Sequence, residues 1–136
     1  MKILIGLDPG VNTGFAVSQN GVLTDVFSCK IHQALTLVEA YIMENLNCTP
    51  IIYVEDARKR GCSPEASAAK AQGAGSVKRD CKIWEDFLTG HGVQFILVAP
   101  QHNNTKLTAD QFKKITKWQG RTNEHARDAA MLIFKR

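Results

Sequence analysis

Five residues of the chain have types and positions that could do chemistry. Asp8 closes the apolar run KILIGLD and is followed at once by Pro9 and Gly10. Glu55 and Asp56 close a second apolar run, IIYVE, and His125 and Asp128 stand three positions apart in TNEHARDAAMLIF. If the two runs are neighbouring strands, Asp8 and Glu55 end roughly 5 Å apart. Two carboxylates at that separation repel by on the order of a few kcal/mol at a surface-like effective dielectric. A proton or a cation between them relieves that repulsion, and a divalent metal is the natural candidate. His125 and Asp128, at i and i+3, share one helix face and complete a set of four ligands drawn from three elements. Hard oxygen ligands favour Mg²⁺ or Mn²⁺ over zinc, and the single imidazole tilts the set towards Mn²⁺.

Each residue also has an ordinary reading when taken alone. Asp-Pro-Gly is common turn chemistry, and Glu55-Asp56 at the end of a strand suits a solvated rim. Asp128 suits an exposed helix charge, and His125 a hydrogen-bonding residue near a helix end. Glu124 falls in the first turn of the same helix, where its charge favours the helix dipole. What sets the group apart is convergence, which depends on the elements that carry it.

KILIGLD reads as a strand buried on both faces. GFAVSQ and VLTDVFSC alternate around Asn20-Gly21, a strong hairpin signal, so the first three strands form an antiparallel meander. Leu35, Val38, Ile42 and Leu46 recur at helical spacing over residues 32–46, and Thr49-Pro50 breaks the chain before the strand IIYVE, which a helical crossover makes parallel to the first. Ser63 and Pro64 predict the cap and first position of a long helix that stops near Gly90. VQFILVAP predicts another strand, residues 108–117 a shorter helix, and Thr122 or Asn123 the cap of a final helix running to the C-terminus, docked by Ala126, Ala129, Ala130 and Ile133. The order is β-β-β-α-β-α-β-α-α, an α/β fold with a mixed five-stranded sheet covered by helices. In the long helix, Ala66, Ala69, Gly73, Val77, Cys81, Trp84 and Leu88 form a stripe. Gly73 and Gly75 each cost about 1 kcal/mol relative to alanine in a helix, which predicts a close approach there.

With 136 residues, 44% of them hydrophobic and 22% charged, the chain suits one core and a single domain over 1–136. Its formal charge of +4 suits a polyanionic partner without requiring one. Cys29, Cys48, Cys62 and Cys81 form no C-x-x-C pair, which predicts reduced, mostly buried thiols. No signal peptide or membrane-spanning run is present, and the expected location is cytoplasmic.

Beyond these features, IGLDPGVNTGFAV resembles the first motif of RuvC-type Holliday-junction resolvases of the RNase H-like superfamily. YVED resembles their second motif, AKAQGAGSVKRD the small-residue helix that follows, LVAPQ the strand ending in Ala-Pro, and EHARDAAMLI the final motif. The resemblance spans nearly the whole chain in the right order. It implies an RNase H-like fold and a divalent-metal site of Asp8, Glu55, His125 and Asp128. It also implies two Mg²⁺ (or Mn²⁺) ions serving phosphodiester hydrolysis, branched DNA as substrate, and a symmetric homodimer. The compact length would suit a bacteriophage or mobile-element protein. The loop after Glu55, DARKRGCSP, departs from the family in lacking an aromatic residue, but Arg58, Lys59 and Arg60 fit phosphate contacts. Lys106 matches a family lysine near the scissile phosphate, and Lys113, Lys114, Lys117 and Arg121 are further candidates for nucleic-acid contact. An RNase H-like nuclease acting on RNA-DNA hybrid or RNA uses the same acids, and a non-catalytic nucleic-acid-binding protein could keep the fold. No Gly-Lys-Ser/Thr follows the glycines, so a P-loop is excluded and no nucleotide cofactor is expected.

Overall fold

The computed structural model describes residues 1–59 and 68–136, and the backbone alone at 68–74. Five strands, β1 (Ile3–Asp8), β2 (Asn12–Gln19), β3 (Val22–Lys30), β4 (Ile51–Glu55) and β5 (Phe95–Val98), form one sheet in the order β3-β2-β1-β4-β5. The β1–β2 and β2–β3 pairs are antiparallel, and the β1–β4 and β4–β5 pairs are parallel. The hairpin between β2 and β3 turns at Asn20 and Gly21, with φ of 54° and 84°, the positive values that match the twist of paired strands. Helices α1 (Ile31–Glu44), α2 (Ala68–Gly90), α3 (Ala109–Thr116) and α4 (Glu124–Ile133) cover the sheet.

Strand alternation divides the core into two layers. Ile3, Ile5 and Leu7 of β1 face one way, with Phe15, Val17, Ile52 and Val54, and pack against Val38 and Ile42 of α1 and Trp84 and Leu88 of α2. Leu4, Ala16 and Val98 face the other way, against Ala126, Ala129, Ala130, Leu132 and Ile133 of α4 and Phe112 of α3. Gly6 and Asp8 continue the Leu4 row, so period two aims the carboxylate of Asp8 at the α4 layer.

Several boundaries differ from expectation. Helix α1 ends at Glu44 because the Asn45 amide donates to the Tyr41 carbonyl and closes the last turn, which leaves Leu46 outside the helix and 70% exposed. Helix α4 stops at Ile133 rather than at the C-terminus. The α2 stripe is present at Cys81, Trp84 and Leu88, all fully buried, while the predicted helix start at Ser63-Pro64, together with Ala66, lies outside the described residues, as do the side chains of the stripe at 69 and 73. At Gly75 the expected close approach is not made among the described residues: a Cβ built there would meet nothing within 4 Å. Cys81 is buried but Cys29 and Cys48 are only half-buried, and these three thiols are free; Cys62 lies outside the described residues. No helix among the described residues is long and apolar enough to cross a membrane.

Candidate metal centre

Three elements bring the expected acids to one end of the sheet. The β1–β4 register runs from Leu4↔Ile51 to Leu7↔Val54, and one step further it sets Asp8 beside Glu55. Helix α4 begins over the same end, where Asn123 caps it by accepting from the Ala126 N–H. It lies so close to the sheet that a Cβ at Gly6 would collide with the Ala129 carbonyl, and one at Gly14 with the His125 carbonyl. Those two glycines and the α4 alanines set the depth at which His125 meets Asp8, whose Oδ2 is 3.1 Å from His125 Nδ1. A neutral imidazole in that contact donates Nδ1–H and keeps its lone pair on Nε2.

Glu55 and Asp128 are 6% and 7% exposed. They are joined through Asn103, whose side-chain amide donates to Glu55 Oε2 at 3.0 Å and to the Asp128 carbonyl oxygen at 3.1 Å. The Lys106 backbone N–H donates to Asp128 Oδ1 at 2.9 Å. Burial first, and the neighbouring carboxylates of Asp8 and Glu124 after it, push the Asp128 carboxyl up to about 6 against the restraining Lys106 hydrogen bond. The hydrogen bond to Asp8 holds the His125 imidazolium above its ordinary range, against the opposing effect of burial.

Together these facts test the fit of a divalent cation. The donors are hard carboxylate oxygens plus one imidazole, partly buried and in mutual repulsion, which is the chemistry that such a cation relieves. As the side chains lie, no three His, Cys, Asp or Glu groups among the described residues stand close enough to hold one ion. The acids are gathered but not drawn into a shared coordination sphere, with Asp8 turned to His125 and Glu55 to Asn103. The chemistry of the donor set fits the ion.

The expected basic residues fall into different settings. Arg58 is committed inside the protein, bonding both carboxylate oxygens of Asp56, at 2.8 and 2.9 Å, and Glu85 Oε2 at 2.9 Å. Burial would raise the Asp56 carboxyl, but the Arg58 guanidinium overrides it and holds the group below its usual range. Asp56 is therefore no solvated rim; it is 2% exposed. Lys59 Nζ donates to the Leu97 carbonyl at 3.0 Å, and Arg60 lies outside the described residues. Lys106, Lys113, Lys114, Lys117 and Arg121 are exposed, and Lys106 and Lys117 adopt positive φ of 60° and 64°. The sequence pattern did not single out Asn103 or Arg127, whose guanidinium bonds the Leu107 and Thr122 carbonyls and ties the start of α4 to the loops before it. The only sequence signal at Asn103 is its place in the polar run QHNNT after Pro100.

A five-stranded mixed sheet in this order, layered between helices, is an RNase H-like α/β fold. Among solved structures, the chain is similar to T. thermophilus RuvC in complex with Holliday junction substrate, with a TM-score of 0.59 and 16% identity over 98% of this chain and 91% of that one. By sequence, the chain matches no protein-family profile and no curated protein.

Proposed function

We propose that the protein is a divalent-metal-dependent endonuclease that hydrolyses phosphodiester bonds in branched DNA, with the four-way junction as its main substrate and a symmetric dimer as its working form. The observation that carries this reading is the meeting of Asp8, Glu55 and Asp128, distant in sequence, at one end of the sheet, with the Asp128 carboxyl pushed up to about 6. The structural likeness to a resolvase solved with its junction substrate supports the choice of substrate.

In this reading Asp8, Glu55, Asp128 and the neutral His125 ring would hold Mg²⁺ or Mn²⁺, which when bound supplies an activated water and stabilises the departing 3′ oxygen. Asp128 and His125 must shed their protons to serve. Lys106 is exposed on the loop that holds Asp128 through its backbone, where its ammonium can meet the scissile phosphate. Lys113, Lys114, Lys117 and Arg121 would contact phosphates of a duplex arm, a role that positions DNA without reading its sequence.

The test is incubation of the protein with four-way, fork, RNA-DNA hybrid and single-stranded substrates in Mg²⁺, Mn²⁺ or EDTA. Symmetric nicking of the four-way junction, lost in EDTA, is expected. The Asp8→Asn variant should cut at least about a thousandfold more slowly while still shifting junction DNA in a gel. Preference for the hybrid would reassign the substrate, and undiminished cutting by Asp8→Asn would overturn the catalytic assignment.

A further inference from the structure

Asn103 belongs to none of the motifs that point to the metal site, yet among the described residues its side chain links two of the acids, reaching the carboxylate of Glu55 and the backbone carbonyl of Asp128. A one-turn 3-10 helix, Pro100–His102, leads into it from the end of β5. Backbone bonds fix its position: Asn103 N–H donates to the Pro100 carbonyl at 3.1 Å, and Thr105 N–H to the Asn103 carbonyl at 3.1 Å. Three residues later, Lys106 takes a positive φ of 60° and gives its N–H to Asp128 Oδ1. The loop therefore grips both sides of the site, touching Glu55 through one side chain and Asp128 at its backbone carbonyl and its carboxylate.

We propose that Asn103 is a positioning residue for the metal centre: its uncharged amide holds Glu55 of β4 at a set distance from Asp128 of α4, tuning the affinity of the site for its divalent cation. This inference rests on the reading of these acids as metal ligands. The reasoning turns on charge. The amide offers two N–H donors and here serves two acceptors, one on each element. A lysine or arginine in this place would hold the acids equally well but would compete with the cation for their negative charge. An amide orders a carboxylate and leaves that charge in place. Groups that orient ligands in this way typically alter metal affinity by about 10–100-fold when removed.

Mn²⁺ binding to the full chain, followed by calorimetry and by the electron paramagnetic resonance signal of free Mn²⁺, tests the proposal without relying on cleavage. Asn103→Ala should weaken Mn²⁺ binding by about tenfold or more. Asn103→Asp keeps the shape but loses the donors and sets a second carboxylate against Glu55 and against the Asp128 carbonyl oxygen, so the metal-free variant should melt below wild type and gain more in Tm from saturating Mn²⁺ than wild type does. Wild-type affinity in Asn103→Ala, or an equal Tm gain from Mn²⁺ in Asn103→Asp and wild type, would overturn the positioning role while leaving the nuclease reading intact. Failure of the wild-type protein itself to bind Mn²⁺ would overturn both.

Discussion

At the scale of single residues, function and stability oppose each other at Asp128. Its ordinary carboxyl value is 3.8, and in the folded protein it is pushed up to about 6. The folded state thus holds a proton at pH values where the unfolded chain has released it. The Asp128 contribution to stability is fully present below about pH 4 and is lost as pH rises through about 6. His125 runs in the same direction, because its imidazolium is favoured by Asp8 and its contribution is lost as pH passes its raised folded value. The metal-free protein should accordingly be more stable in mild acid than these two groups would allow at neutrality. Asp128→Asn keeps an oxygen for the Lys106 N–H and removes the buried charge. Thermal melts should show it stabilised by about 1–2 kcal/mol at pH 7.5 and barely changed at pH 4. Cleavage should follow the opposite course, climbing as pH passes about 6 and Asp128 gives up its proton, and climbing again at higher pH as the raised His125 imidazolium loses its own. Parallel pH profiles for melting temperature and cleavage rate would defeat this account.

At the scale of elements, the site depends on how deeply α4 sinks onto the sheet. Gly14 lies opposite Asp8 in the β1–β2 ladder, and a Cβ there would press on the His125 carbonyl and come within 3.1 Å of the Asp8 Cβ. Gly14→Ala should therefore lift the start of α4, cost about 1–3 kcal/mol in denaturant melts, and separate His125 from Asp8. Gly75→Ala provides the contrast. With open space around that position among the described residues, alanine should stabilise α2 by about 0.5–1 kcal/mol, and a loss of stability would show that a group outside the described residues, of this chain or of a second copy, packs against it. These two glycines also show what was legible in the sequence. The strands and the α4 stripe could be read from periods of two and 3.6, and Asp8, Glu55 and Asp128 stood out because each interrupts an apolar pattern. A glycine needed for close approach looks the same as one facing solvent until the crossing element is known, so Gly6 and Gly14 were invisible while Gly75 drew attention. Leu46 continued the helical spacing but lay past the amide of Asn45, a side-chain stop that periodicity does not record. Arg58 reads in the sequence as a basic loop residue, and nothing there tells that Glu85, a distant residue on α2, also bonds its guanidinium. Asn103 had no period to break.

At the scale of the whole molecule, the distribution of charge is more informative than its sum. A net +4 from seventeen basic and thirteen acidic residues is a small excess, and part of the positive charge is spent internally: Arg58 on Asp56 and Glu85, and Lys82 on Glu85 and Asp86. Exposed Lys113 and Lys114 lie on α3, whose Phe112 is buried against the α4 layer, and Arg121 follows in the loop that leads to α4 and the proposed metal site. These cations carry no ion pair among the described residues, so contact with DNA would cost them no protein partner. Each phosphate neutralised releases counterions and steepens the fall of binding with salt by about 0.9 in a log-log plot. Replacing Lys113, Lys114 and Arg121 together by glutamine should therefore flatten the salt dependence of junction binding by about 2–3 for each bound chain, measured by fluorescence anisotropy across a salt series. The melting temperature should hardly move, since surface substitutions of this kind usually stay within about 0.5 kcal/mol. An unchanged slope would mean that duplex arms leave the centre by another face, and the α3 surface would then be the ordinary wet side of a helix.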